Sequence, residues 1–164
     1  MKTLSLLFSL LLCAGMLAAQ TSKSKPSDQA GSPDDVSGMY AFLQEGEFVQ
    51  ISVDDQNKLT GFVSRYGDLE SDRGAFLDQF FKTASFDGRK MTWTTEQVHG
   101  VTYEFKGTVS RGDGKTPSDQ GYYVLKGTLT EYTADANKKT SAKSREVNFK
   151  SFPKDEIPSR PKRD

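Results

Sequence analysis

The sequence predicts an all-β fold, an antiparallel up-and-down meander barrel of about eight strands with one short helix. Apolar and polar residues alternate along residues 101–132, which is typical of strands with one buried and one wet side. The two strands of that segment repeat a Lys-Gly-Thr string, at Lys106 and at Lys126, so each carries a glycine near its middle. Short turns rather than long helices separate the apolar runs, which indicates antiparallel neighbours. Closing the sheet at about eight strands removes its exposed edges.

The chain of 164 residues suits one domain. Its start has the features of a secretory signal peptide, with Lys2, an apolar run at 4–12 and small residues before an expected cleavage after Ala19. The protein is therefore expected to be secreted or periplasmic, and the apolar run is short for a membrane span. Cys13 is the only cysteine and falls in the signal, so the core must supply the stability. The expected division is a signal peptide at 1–19, a disordered leader at 20–35, the β-barrel domain at 36–152 and a disordered tail at 153–164.

Charge and composition limit the classes of partner. Basic and acidic side chains number 22 each, so the formal net charge is zero. A neutral chain has no electrostatic basis for binding nucleic acid or an acidic membrane surface. The 11 Phe and 6 Tyr residues fit a small β core filled with aromatic rings.

Three strands are expected in the first part of the domain, at 37–43, 48–53 and 59–63. Gly46 ends the first of them, and Val49 and Ile51 share one face of the second. The run from Asp54 to Lys58 consists of turn-forming residues and predicts a tight connection to the third strand.

The next segment has two interpretations. Ser71 or Asp72 is a suitable cap for a short helix in which Phe76 meets Phe80 four residues later. Alternatively, residues 80–86 already form a strand. Asp87 and Gly88 predict a two-residue turn that joins Phe86 to Arg89. Such a turn would place Ala84 opposite Met91 and Lys82 opposite Trp93.

The strand expected at 90–98 turns into residues 101–109 at His99 and Gly100, and two registers compete there. A two-residue turn places Trp93 opposite Lys106. A shift of one residue instead places Trp93 opposite Gly107 and keeps the large apolar groups on one side. We favour the second register, with a bulge or a three-residue loop at His99.

The remaining strands complete the expected barrel. Residues 111–120 and 133–144 are expected to be long polar loops, and residues 145–152 the last strand, with Val147 and Phe149 inward. Glycine within a strand permits sharp coiling and leaves room for a facing ring. Placing Phe105 across from Gly127 and Leu125 across from Gly107 would interlock large and small residues.

Residues 38–63 resemble the opening of the avidin and streptavidin family and, more loosely, the start of lipocalins. The matching positions are Gly38-Met39-Tyr40, then Gly46, Phe48 and Val49, then Leu59-Thr60-Gly61. The later strands and turns are similar in length and order over residues 38–152. The resemblance implies a calycin-type β-barrel.

The resemblance does not extend to the biotin site. The avidin family binds biotin through small hydroxyl residues and an Asn on its first three strands, and through several Trp. The residues found near those polar positions here are Phe42, Glu47, Phe62, Val63 and Arg65. Trp93 is the only tryptophan. The resemblance therefore implies the fold and not biotin binding.

The sequence contains no recognisable catalytic, metal or cofactor motif. His99 is the only histidine, and no second histidine or cysteine in the domain can join it, so we expect a solvent-facing turn residue. The acidic residues before and within the expected helix are Asp68, Glu70, Asp72 and Asp78. Their spacing does not match an EF-hand loop. The string Arg111-Gly112-Asp113, which integrins read in other proteins, is attributed to loop composition.

These observations favour a non-enzymatic binding protein that holds a small, partly apolar ligand at the open end of the barrel. The candidate ligand-binding residues are Tyr40, Lys82, Met91, Trp93, Tyr103, Phe105 and Tyr123. If Lys82 points inward beside Trp93, it is an unusual buried charge and a candidate contact. A filled core is the alternative interpretation of the same aromatic residues, because eight strands leave little free volume.

Two other functions stay open. A protein-interaction or inhibitor module would use the two long loops to bind an envelope or extracellular protein. A hydrolase would need the acidic residues to converge on one cleft. Exposed aromatic residues on the outer faces, namely Phe62, Tyr122 and Tyr132, would also permit a homo-oligomer.

Overall fold

Eight antiparallel strands form one sheet in which every strand is hydrogen-bonded to its neighbours in the chain. This is the predicted all-β meander. The computed structural model describes residues 36–135, 137 and 139–154, so the expected signal peptide, leader and most of the tail lie outside the described residues. The strands are β1 (Gly38–Ala41), β2 (Phe48–Val53), β3 (Leu59–Tyr66), β4 (Phe76–Asp87), β5 (Lys90–Thr95), β6 (Val101–Arg111), β7 (Tyr123–Ala134) and β8 (Thr140–Lys150).

The sheet curls into a half-barrel whose two edges approach each other. Tyr40 of β1 forms an isolated antiparallel bridge with Ser151, and the Phe152 N–H donates to the Met39 carbonyl at 2.8 Å. β1 has 4 residues and β8 has 11, so the edges meet over a short length. The connections after β1, β3, β5 and β7 lie at one end of the barrel, which we call the upper end, and the other connections lie at the lower end.

The apolar side of each strand faces one common core, as the alternating pattern predicts. Phe105, Met91 and Leu125 are fully buried there. Trp93 stacks between two rings, 4.8 Å from the centroid of Phe81 and 5.4 Å from that of Phe105. The stack fills the middle of the barrel with aromatic rings.

The helix predicted around Phe76 is wrong, and its alternative, a strand, extends further than expected. Residues Phe76–Asp87 form β4, and the helical element of the described chain is a 3-10 turn at Glu70–Asp72. Residues four apart share a face in a helix and also in a strand, because four is a multiple of the strand period of two. Phe76 and Phe80 therefore share a face, but it is the outer face of a strand.

The register of β4 and β5 differs by two residues from the predicted one. Asp87 pairs with Lys90, so the turn residues are Gly88 and Arg89, and Ala84 rather than Lys82 lies opposite Trp93. Gly88 has a φ of 60° and occupies the first central position, where glycine belongs in a type II′ turn. A bulge between Phe81 and Thr83 leaves Lys82 exposed.

Neither predicted register of β5 and β6 is correct. Val98 bridges Val101 across a two-residue turn, but the strands then slip, and Trp93 lies opposite Phe105. The favoured register, with Trp93 opposite Gly107, is wrong by two residues. The large apolar side chains of the two strands still share one side of the sheet, because a shift by an even number of residues does not change the side to which they point.

Glycines leave room for aromatic rings, although the predicted partners are wrong. Gly107 pairs with Gly127, and Phe105 pairs with Leu129. A Cβ atom at Gly107 would lie 2.3 Å from the carbonyl oxygen of Lys126 and 2.5 Å from the end of the Phe105 ring. The glycine pair therefore lets the backbones of β6 and β7 and the Phe105 ring approach more closely than side chains at these positions would permit.

The second expected long loop is mostly strand. β7 continues to Ala134 and β8 begins at Thr140, so the connection is a short hairpin. Polar cross-strand pairs replace apolar ones here, for example Thr130 and Ser144, whose hydroxyl oxygens are 2.9 Å apart. The loop expected at 111–120 exists, and its Asp119 carboxylate accepts hydrogen bonds from the backbone N–H groups of Lys115 and Thr116.

Candidate functional site

Six of the seven predicted ligand-binding residues belong to the packed core. They are Tyr40, Met91, Trp93, Tyr103, Phe105 and Tyr123, each at most 5% exposed. Their side chains contact other core residues, as the filled-core alternative predicts for them. The Tyr40 hydroxyl donates to the Val36 carbonyl at 2.6 Å, whereas the Trp93 indole N–H is buried without a partner.

Lys82 does not join this group. It is exposed beside the bulge of β4, so the predicted inward lysine opposite Trp93 is wrong. The physical reason is the bulge, because one extra residue in a strand changes the side to which the following residues point. The sequence pattern alone does not show where a bulge lies.

A polar pocket opens inside the upper end of the barrel, and Tyr103 is the one predicted ligand residue that lines it. The pocket has a volume of about 190 Å³. It forms where the connection after β1 meets the upper halves of β3, β6, β7 and β8. Its lining residues are Leu43, Gln44, Glu47, Arg65, Asp68, Tyr103, Glu131 and Arg145.

Arg65 is the most deeply buried cation of this pocket, with 2% of its surface exposed. It follows Val63 on the inward side of β3. Its Nη1 atom donates to the Tyr66 carbonyl at 2.9 Å and to Asp68 Oδ2 at 2.6 Å. Its Nε atom is buried and has no hydrogen-bond partner. A buried donor without an acceptor costs on the order of 1–3 kcal/mol.

Arg145 of β8 repeats this arrangement in the same pocket. Its Nη2 atom donates to Glu131 Oε2 at 3.0 Å, and about a third of the side chain is exposed. Its Nε atom is also buried without a partner. Each of the two guanidinium groups therefore has one Nη atom hydrogen-bonded to a carboxylate and an Nε atom without a hydrogen-bond partner.

Glu47 organises the rim of the pocket. Its carboxylate is buried and accepts hydrogen bonds at 3.0 Å from the backbone N–H groups of Gln44 and Tyr66. The first bond closes the connection after β1, and the second joins that connection to β3 beside Arg65. A buried carboxylate that accepts charge-assisted hydrogen bonds from the backbone fixes the position of the chain segments that donate them. We call the Glu47 carboxylate the brace at the rim.

Tyr103 is a neutral hydroxyl group at the floor of the pocket. Burial raises the pKa of Tyr103 to about 12, and the charge of Glu131 acts in the same direction. Arg65 opposes this increase, while Glu47 and Asp68 add to it. The hydroxyl therefore stays protonated near neutral pH and can donate one hydrogen bond and accept others.

The sequence pattern did not identify the arginines as site residues. Arg65 and Glu47 depart from the avidin pattern, and that departure is the signal that the sequence offers. Both fall at inward positions near strand ends, where an alternating strand calls for apolar residues. Arg145 and Glu131 lie in segments whose polarity had suggested a loop or a strand boundary.

The acidic residues singled out in the sequence do not converge. Asp68 pairs with Arg65, Asp72 contacts the His99 ring, and Asp78 accepts a hydrogen bond from Ser64 at 2.7 Å. His99 occupies a turn, as expected, with a φ of 51°. Within the described ranges, no group of three or more His, Cys, Asp or Glu residues is arranged to hold a metal ion.

A row of aromatic rings crosses the outer face of β2, β3 and β4. The Phe62 centroid lies 5.9 Å from that of Phe48 and 5.4 Å from that of Phe80. Phe80 is 61% exposed. A shallow groove of about 330 Å³ runs beside the row, lined partly by Gln50 and Thr60. We call Phe48, Phe62 and Phe80 the outer aromatic row.

The lower end contains the Arg-Gly-Asp string. Arg111 is the last residue of β6, and its guanidinium carbon lies 3.1 Å from the ring centroid of Tyr122. This cation–π contact holds Arg111 against the barrel wall. Tyr122, expected to be exposed, is partly covered by it.

No protein-family model matches the sequence, and no curated protein matches it. The architecture agrees with the calycin-like barrel that the resemblance implies, with eight antiparallel strands in meander order. In the part of the chain that the structure describes, no helix has the length and apolar character needed to cross a membrane.

Proposed function

We propose that the protein is a non-enzymatic binding protein that holds a small, partly apolar ligand in the polar pocket at the upper end of its barrel. The observation that carries the proposal is the pair of arginines that line the pocket, Arg65 and Arg145, whose buried Nε donors lack hydrogen-bond partners. Natural proteins rarely leave buried donors unmatched, so each such donor requires an explanation. The secreted or periplasmic location belongs to the same proposal and is supported by residues 1–19.

The position of the pocket supports a binding role. Ligand sites occur preferentially in the mouths of β-barrels, where a rigid wall surrounds a concave space. Phe42 lies beneath the rim, with its ring centroid 5.2 Å from that of Tyr103. Leu43 adds an apolar side chain to the lining. Kinship with avidin-like or lipocalin-like barrels is part of the proposal, supported by the meander order and the pocket's place.

The packed aromatic residues then have an indirect role. Trp93 and Phe105 form a solid support below the pocket rather than a hollow interior. A rigid support keeps Tyr103 and the arginines in place without a ligand, which lowers the entropic cost of binding. The ligand contacts among the predicted residues are thus concentrated at Tyr103.

Native mass spectrometry of protein recovered without denaturation tests the proposal directly. We expect a small molecule to remain bound, and its fraction to fall at least tenfold in Arg145→Gln. Lys106→Gln removes a charge from the outer face, where Lys106 pairs with Glu104, and should retain the molecule. A protein free of ligand in every preparation, with no small molecule raising its melting temperature, would contradict the proposal.

A protein-interaction or self-association role is the second candidate, and the outer aromatic row favours it. Exposed rings grouped on one face are typical of interaction surfaces. Phe80→Ser should then lower the sedimentation coefficient of a self-associating sample while leaving the ligand pocket intact. An unchanged monomeric sedimentation coefficient in both proteins would argue against self-association.

A further inference from the structure

The unmatched groups of the upper pocket indicate the kind of atom that a ligand must offer. The Nε atoms of Arg65 and Arg145 are N–H donors, and both lack acceptors. Arginine is always protonated in proteins and carries only donors, so a ligand that meets these two side chains in the pocket must offer an oxygen or another acceptor. A planar carboxylate matches a guanidinium group better than a single carbonyl does, because it can accept two parallel hydrogen bonds.

The carboxylates of the pocket argue against a ligand that is only an anion. Three of them, Glu47, Asp68 and Glu131, share the lining with the two arginines, so the acidic groups outnumber the basic ones. Their combined effect at Tyr103 is that of negative charge, since three carboxylates raise the pKa of its hydroxyl and one arginine lowers it. A simple anion would add to this negative charge and be repelled.

Glu131 and Asp68 can instead receive a positive group. Glu131 engages Arg145 through Oε2, and Asp68 engages Arg65 through Oδ2. An ionised carboxylate has about four acceptor sites, so each can accept further hydrogen bonds. The pocket thus presents a guanidinium group beside a carboxylate on each of two walls.

Resting on the proposed binding function, we infer that the ligand is a small zwitterion of amino-acid type. Its carboxylate accepts hydrogen bonds from Arg65 and Arg145, and its ammonium group donates to Glu131. The volume of about 190 Å³ corresponds to roughly six water molecules at about 30 Å³ each, which suits one amino acid rather than a peptide.

Matched probes test the inference. L-leucine is compared with 4-methylpentanoate, which lacks the amino group, and with 3-methylbutylamine, which lacks the carboxylate; L-alanine, propanoate and ethylamine form a second set. Titration followed by the ¹⁵N–¹H signals of the arginine Nε groups reports both affinity and site. We expect at least one amino acid to bind at least tenfold more tightly than both of its matched probes, and to shift the Arg65 and Arg145 signals.

Variants distinguish the two charges of the ligand. Arg145→Gln should weaken amino-acid binding at least tenfold, and Arg65→Lys should also weaken it, because lysine keeps the charge but loses the planar guanidinium group. Glu131→Gln should weaken the amino acid and strengthen the matched anion. The control Lys106→Gln should leave every affinity within twofold of the starting value. Circular dichroism and the Trp93 emission spectrum establish that each variant is folded.

Each contrary outcome has a distinct meaning. An anion that binds as tightly as its amino acid would overturn the zwitterion and leave the binding function standing. The same holds if no amino acid binds while another molecule is retained in the native mass spectrum. Absence of binding by all probes, together with an empty native spectrum, would remove the proposed function as well.

Discussion

The lower and upper parts of the barrel interior are lined by inward-facing residues of the same strands. Those residues are apolar in the lower part and charged in the upper part. On β3, Val63 is followed on the inward side by Arg65, and on β7, Leu129 is followed by Glu131. Arg145 of β8 lies opposite Leu129, at the height where the change occurs. Strand alternation therefore determines which side chains face inward, and position along the strand determines whether they form core or site. The comparison predicts that the two parts respond differently to substitution.

The largest effect is expected in the lower part. Phe105 is fully buried and stacks on Trp93, so Phe105→Ala should lower the free energy of unfolding by about 3–5 kcal/mol. Urea unfolding followed by the fluorescence of Trp93 measures this change. Phe80→Ala removes an equal ring that is 61% exposed and should cost less than about 1 kcal/mol. Similar losses for the two variants would show that the aromatic stack is not the core.

The brace at the rim should give the next largest effect. Glu47→Ala removes the acceptor of two backbone N–H groups, those of Gln44 and Tyr66. Leaving both donors unmatched should cost about 2–4 kcal/mol in urea unfolding. Glu45, an exposed neighbour in the same connection, gives the control Glu45→Ala, which should change stability by less than about 0.5 kcal/mol. Equal effects would mean that the hydrogen bonds of Glu47 contribute little.

Alkaline pH should test Tyr103, which lies between the two parts. Because its pKa rises to about 12 in the folded protein, folding favours the neutral form. Its contribution is complete below about pH 10, the unfolded value, and is lost as the pH rises through about 12, a decline of about 2–3 kcal/mol.

Tyr103→Phe separates this decline from that of other tyrosines. Burial, and then Tyr123, raises the pKa of Tyr40 as well, so wild type and variant should both lose stability in alkali. The variant should lose less. Parallel unfolding curves across pH 10–12 for the two proteins would show that Tyr103 ionises normally in the fold.

The smallest effect on stability is expected for Arg65→Met. Replacing a buried ion with an apolar side chain of similar size is often neutral or stabilising. Asp68, the charge left behind, is 68% exposed in its side chain and can be solvated. We expect the free energy of unfolding to change by less than about 1 kcal/mol while the affinity of the pocket falls at least tenfold. A loss above about 2 kcal/mol would make Arg65 a structural residue.

The strand faces could be predicted from the sequence, whereas the strand partners could not. Trp93 was expected opposite Lys82 and Gly107, and it lies opposite Ala84 and Phe105. Each error is a shift of two residues. Such a shift moves a strand along its neighbour without changing which side is buried, so the apolar pattern cannot detect it. Between β4 and β5 the turn decides the register, and Gly88 occupies a different position in it from the one expected. Between β5 and β6 a slip after the two-residue turn decides it.

The pocket could be predicted only in part, for a related reason. Apolar periodicity identifies the residues that fill a core, and Trp93 and Met91 are indeed there. It does not identify charged residues such as Arg65 that take inward positions near a strand end, because a polar residue there resembles the start of a loop. A departure from alternation next to an apolar run is the useful signal.

The unequal lengths of β1 and β8 leave the upper part of β8 without a partner strand on one side. β1 ends at Ala41, close to the height where Tyr40 meets Ser151, while β8 rises beyond it to Thr140. Above that junction, the backbone of β8 near Arg145 has β7 on one side and no β1 residue on the other. The backbone amide protons of that stretch that point away from β7 should therefore be among the first in the barrel to exchange with solvent.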